Sequence, residues 1–99
     1  MVLTGHIHAY ERTYPVYNNT IVSKSYDHPA APVYIVQGAS GNREGNKGSF
    51  PPPEELPEWS AAQAVDVGYG LMEISSNRIS WKFFSSDSNL LVDEMTITK

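Results

Sequence analysis

Glycine and proline, seven of each in 99 residues, cut this chain into short runs and leave no useful length of apolar residues at helical spacing. What lies between the breaks is strand-like. The run "VYIVQG", residues 33 to 38, is continuously β-branched and aromatic and predicts a buried strand. The last third predicts a meander. "GYGLMEISSN" supplies one strand and Asn77-Arg78 a tight connection; in the second strand, "RISWKFFSS", Ile79, Trp81 and Phe83 alternate with polar neighbours. After a turn at "DSNL", the run "LVDEMTITK" closes the chain with Met95 and Ile97 on one face.

The first two thirds are less regular. "VLTG" reads as the tail of a buried strand, "AYERTYPVYNNT" as an irregular loop and "IVSK" as a short strand. "SYDHPAAP" is a turn-rich connector in which Pro29 and Pro32 exclude regular ladder bonds. The stretch "ASGNREGNKGSFPPPEELPEWSAAQA" reads as a long loop, with a helical turn expected at most at "PEELPEW" or "SAAQAV". Loops beyond about 12–15 residues in compact domains are usually functional or disordered. The fold class read from these runs is mainly β.

Met1-Val2-Leu3-Thr4 has no lead-in, cap or turn before it, and an unaccompanied core strand leaves backbone groups without partners. Residues 1–99 are therefore expected to be a segment of a larger domain. A chain this short buries only about 60–65% of the surface its unfolded form exposes, so stability alone would be marginal. The formal net charge of -4, with Lys and Arg scattered, gives no electrostatic footprint for nucleic acid or an anionic membrane. The absence of cysteine excludes disulfides and thiolate metal sites. No apolar run approaches the roughly 20 residues that span a bilayer, and no signal peptide is present.

The candidate chemistry sits near the start, in "GHIHAYER". In extended backbone, His6 and His8 would point to one side, with Ile7 turned into packing and Gly5 letting the backbone turn. Neutral imidazole suits zinc, iron and copper, but two ligands do not complete a site that needs roughly four to six donors. The pair alone leaves a surface feature or a hydrogen-bonded core pair open.

The longer string resembles the last motif block, G-H-x-H-x-Y-E-R, of the purple acid phosphatases, a branch of the metallophosphoesterases. Further stretches follow in that family's order. "APVYIVQGASGNREG" is similar to its P-V-Y-I-x-x-G-x-x-G-N-x-E-G segment, "WSAAQAVDVGYGLMEI" to its W-S-A block, and "RISWKFFSSDSNLLVDEMTI" to its closing strand pair. The resemblance covers essentially all 99 residues.

It implies that 1–99 is the C-terminal segment of a purple acid phosphatase-like domain: a mixed sheet with a C-terminal antiparallel meander, part of a four-layer α/β sandwich (an α+β fragment). It implies His6 as ligand to a divalent metal (zinc, manganese or iron) and His8 as ligand to Fe(III). It implies hydrolysis of phosphomonoesters by an acid phosphatase whose remaining ligands lie in preceding blocks. The preceding part of the domain is then a partner, the isolated chain is inactive, and the parent protein is secreted or vacuolar/lysosomal. Tyr10, Glu11 and Arg12 are expected to support the ligands, with Glu11 and Arg12 as an internal ion pair.

Arg43 and Glu44, in the glycine-rich loop, are expected at the substrate side. Asn18-Asn19-Thr20 is a glycosylation sequon. "QGAS" and "WKFF" depart from the family's commoner sequences, Lys82 standing in for a surface contact. His28 reads as a surface residue. The alternative function is a truncated, non-catalytic β-rich module that binds a partner through an exposed sheet edge.

Overall fold

A computed structural model describes residues 1–46 and 48–99 of the chain. Two sheets and a small hairpin make up the fold. The first sheet is mixed and four-stranded, built from β1 (Val2–Thr4), β5 (Tyr34–Gln37), β2 (Tyr10–Thr13) and β6 (Ser60–Ala64) in that spatial order. β1 runs parallel to β5, while β2 is antiparallel to both β5 and β6. The second sheet is the antiparallel meander β7 (Gly68–Ile74), β8 (Arg78–Ser85) and β9 (Leu91–Thr98). The hairpin joins β3 (Val16–Tyr17) to β4 (Thr20–Ile21).

The meander forms where period-2 alternation predicts it. Trp81 and Phe83 turn inward on β8 and Met95 follows on β9, all three buried. Across the interface, the mixed sheet offers Tyr10 and Ile35, which are fully buried. The Tyr10 and Phe83 rings stack parallel with centroids 4.2 Å apart. β7 makes room by lacking side chains where the rings lie. A Cβ on Gly70 would stand 2.0 Å from the Trp81 ring, and one on Gly68 would stand 2.5 Å from that of Phe83.

Four expectations are corrected. The stretch 10–13 is no loop but the interior strand β2. Its inward side chains are Tyr10 and Arg12, and a polar residue at a core position hides the alternation. "SAAQA" is strand β6, not a helical turn. Ala64 lies opposite Tyr10 and Ala62 opposite Arg12, and their small side chains leave space for those larger ones. The only helical turn among the described residues is the 3-10 turn Pro53–Glu55.

The opening strand exists, but it is an outer strand of the sheet with Val2 and Leu3 exposed, so it is not buried. Of "IVSK", only Ile21 joins a ladder, as half of a hairpin. The turn of that hairpin is Asn18-Asn19, with φ of 51° and 61°. Positive φ at both central residues matches strand twist, and asparagine tolerates it well.

Candidate functional site

The histidines lie in the connection between β1 and β2, and the topology dictates its shape. β1 and β2 flank β5, so the chain must cross the C-terminal end of β5 within Gly5–Ala9. That span is two strand spacings, roughly 9.6 Å. The crossing is an arch, with Ala9 N–H closing a tight turn onto the Ile7 carbonyl at 2.8 Å.

The arch overturns the extended geometry expected for the pair. His6 takes a left-handed conformation, φ 79°, so it is His6 rather than Gly5 that turns the backbone. Ile7 faces outward, 56% exposed, instead of packing. His6 is exposed and His8 half-buried. Neither imidazole hydrogen-bonds to another described residue, so their ring nitrogens are free to ligate.

Among the described residues no group of three or more His, Cys, Asp or Glu gathers to hold a metal ion. The donor chemistry fits iron or zinc; the donor number is incomplete. His28 is exposed in the connector, its N–H bonded to the Thr98 carbonyl at 2.6 Å.

Immediately after the arch, the polar side chains of β2 find partners. The Arg12 guanidinium grips the Asp93 carboxylate with two bonds, Nε to Oδ2 at 2.6 Å and Nη2 to Oδ1 at 2.8 Å. Tyr10 donates its hydroxyl hydrogen to Asp93 Oδ2 at 2.6 Å and accepts from Trp81 Nε1 at 3.0 Å. Arg12 Nη1 donates to the Tyr26 hydroxyl, which donates in turn to the Thr13 carbonyl. This cluster ties β2 to β8 and β9.

Burial, reinforced by Asp93, raises the Tyr10 pKa well above the ordinary tyrosine range. Burial also works against the Arg12 charge, yet the hydrogen bonds and charge of Asp93 more than offset it and hold the guanidinium protonated.

The expected Glu11–Arg12 ion pair does not form, because adjacent residues on a strand face opposite sides. Glu11 points to the outer face and accepts from Ser60 Oγ at 2.6 Å, which also accepts from Gln63 Nε2 at 2.8 Å. It lines an open groove of about 570 Å³ with Thr4, Tyr17, Tyr34, Val36 and Trp59.

Asp93 is the residue that sequence reasoning missed. Its only signal is the inward phase it shares with Met95 on β9.

Arg43 and Glu44 sit exposed at a turn of the glycine-rich loop, where Glu44 N–H donates to Asn42 Oδ1 at 2.8 Å. Their side chains make no hydrogen bond among the described residues. Asn46 anchors this loop through bonds to the Val65 and Asp66 carbonyls. Asn18 stands exposed at the hairpin tip.

A family model described as "Iron/zinc purple acid phosphatase-like protein C" matches residues 31–94. Acid phosphatase type 7 of Danio rerio is 35% identical over 103 residues, covering 98% of this chain and 23% of its own length. Purple acid phosphatase 18 of Arabidopsis thaliana is 37% identical, covering 90% of this chain and 19% of its own. Fe(3+)-Zn(2+) purple acid phosphatase 12 of the same plant is 34% identical, also covering 90% and 19%. The chain thus spans about a fifth of the length of these relatives. In fold it is similar to purple acid phosphatase PPD1 from yellow lupin seeds, with a TM-score of 0.83 at 22% identity, over 98% of this chain and 17% of that one.

Proposed function

The chain belongs to the iron/zinc purple acid phosphatase-like family, and from that premise we propose that it is the C-terminal segment of a dimetal acid phosphatase acting on phosphomonoesters. In this reading His6 ligates the divalent ion (zinc, manganese or iron) and His8 the ferric ion, and the other ligands come from the part of the domain that precedes residue 1. The observation that carries it is the arch: two imidazoles without hydrogen-bond partners among the described residues, presented where β1 ends. When bound there, the metal pair supplies Lewis acidity toward a phosphoester. The chain's own residues hold and orient. Arg43 and Glu44 face substrate from the glycine-rich loop. Tyr10 and Arg12 fix the start of β2 and so one foot of the arch, while Glu11 braces β2 against β6 through Ser60.

Alone, the chain supplies two ligands and is inactive. The proposal extends to a secreted or vacuolar parent protein glycosylated at Asn18, whose tip position suits the modification. No helix among the described residues is long and apolar enough to cross a membrane.

A chimera tests the reading. The matching segment of Danio rerio acid phosphatase type 7 is replaced by this chain, and p-nitrophenyl phosphate hydrolysis is followed at mildly acidic pH. The expected result is turnover that falls at least ~100-fold with His6→Ala or His8→Ala, more than the loss of a ligand's supporting partner costs. Full turnover in both variants overturns it. The outer position of β1, with Val2 and Leu3 exposed, favours a second reading, a non-catalytic module that pairs by its sheet edge. An inactive chimera with the chain self-associating through β1 would favour that one.

A further inference from the structure

The glycine-rich loop begins at Gly38, directly beneath the arch. A Cβ built on Gly38 would stand 1.8 Å from the Ile7 carbonyl oxygen, 2.8 Å from its carbon and 3.5 Å from the His6 nitrogen. No side chain can occupy that space, and the obstacle is backbone, which cannot rotate away. Gly38 also donates its N–H to the Ala9 carbonyl at 3.2 Å. It therefore touches the arch at its crown, through the bare Cα, and at its far foot, through a hydrogen bond.

By contrast, a Cβ on Gly48 would meet nothing within 4 Å, and the Ile7 side chain is largely in solvent. The left-handed turn at His6 thus stands where two backbones approach closely and where the neighbouring Ile7 side chain is not packed.

We propose that Gly38 is the positioning residue for the His6–His8 pair, the saddle over which the arch is bent so that both imidazoles leave it in one fixed relation. Its consequence for metal binding rests on the reading of His6 and His8 as ligands; its consequence for the arch does not. The glycine at this point of the loop then serves a backbone crossing.

The test uses the isotope-labelled 99-residue chain, its Gly38→Ala, Gly48→Ala and Ile7→Ala variants, and zinc chloride alone as probe. Two signals are read by NMR: the coupling between the His6 alpha proton and the preceding carbonyl carbon, which is large at positive φ and small in the ordinary negative range, and the zinc midpoint of the His6 and His8 ring resonances. The expected result is that Gly38→Ala loses the left-handed signature at His6 while Trp81 and Phe83 keep their native shifts. Its zinc midpoint rises roughly tenfold or more, as when a ligand's support is removed. Gly48→Ala and Ile7→Ala should match the wild type.

A Gly38→Ala chain with an unchanged His6 coupling and midpoint overturns the proposal. So does one that loses the Trp81 and Phe83 shifts as well, since Gly38 would then serve folding as a whole. An Ile7→Ala chain with an opened arch overturns it too, by assigning the bend to packing. If wild-type imidazoles ignore zinc, the ligand reading fails alone and the His6 coupling still decides the role of Gly38.

Discussion

Two neighbouring stretches of one eight-residue motif behave oppositely. His6 to His8 form an arch in which His6 and Ile7 are exposed, His8 is half-buried and neither imidazole has a hydrogen-bond partner among the described residues. Tyr10 to Arg12 begin two residues later, and both inward groups are buried with their hydrogen-bonding capacity engaged. Buried polar groups cost free energy unless paired, so the second stretch must spend its chemistry inside the fold. The arch is free of that demand. Unsatisfied imidazoles at the end of a strand are available to something outside the chain, whereas the Tyr10–Arg12–Asp93 cluster is closed. Folding thus accounts for the second stretch and leaves the imidazoles of the first without a structural partner among the described residues.

The sharpest way to break this contrast is to leave Asp93 without its cation. Arg12→Met keeps much of the volume but strands a mostly buried carboxylate, and is expected to cost about 3–5 kcal/mol. In a chain this small that approaches the whole stability, so the urea midpoint should collapse or folding should be lost. A milder cut is Tyr10→Phe, which keeps the ring stacked on Phe83 but removes the hydroxyl shared by Asp93 and Trp81. The expected loss is about 1–3 kcal/mol, read from the same urea curve.

The cluster also has a pH signature. The Tyr10 pKa is raised on folding from an ordinary value of 10.0, chiefly by burial and then by Asp93, and Tyr26 is raised as well, again chiefly by burial. A pKa higher in the folded state means that the folded chain holds the proton more tightly. The associated stability is complete below pH 10 and drains away as pH climbs above it. Unfolding curves at successive alkaline pH values should show this decline, and Tyr10→Phe should flatten it. A Tyr10→Phe chain with an undiminished alkaline slope would assign the effect elsewhere.

The two stretches were also unequally legible in the sequence. The meander declares itself because Ile79, Trp81 and Phe83 alternate with polar residues over one uninterrupted strand. β2 does not, because one of its two core-facing residues is Arg12, whose partner lies 81 positions away. Only tertiary structure reveals that the arginine belongs inside. β6 is hidden for a related reason. "SAAQA" has the composition of a helix, and its alanines become strand residues to make room opposite Tyr10 and Arg12. At the arch, residue type pointed to metal ligation while local rules missed the geometry. A glycine stands beside the turn, yet the left-handed residue is His6, because the crossing over β5 and not local propensity sets the backbone there.

The smallest expected effect belongs to the arch itself. His6→Ala and His8→Ala remove side chains that have no hydrogen-bond partner among the described residues, so each should change stability by no more than about 0.5 kcal/mol. Alanine at position 6 would inherit the left-handed φ that histidine already bears, so little new strain is added. That near-null result contrasts with Arg12→Met only a few residues away. It is informative because a residue that contributes almost nothing to folding, yet is held in an uncommon conformation by a backbone saddle, has its reason outside the chain. Thermal unfolding of the two variants beside wild type decides the point. A loss of more than 2 kcal/mol in either, a large effect on the scale of single substitutions, would show an imidazole working inside the fold and would erase the division between arch and cluster.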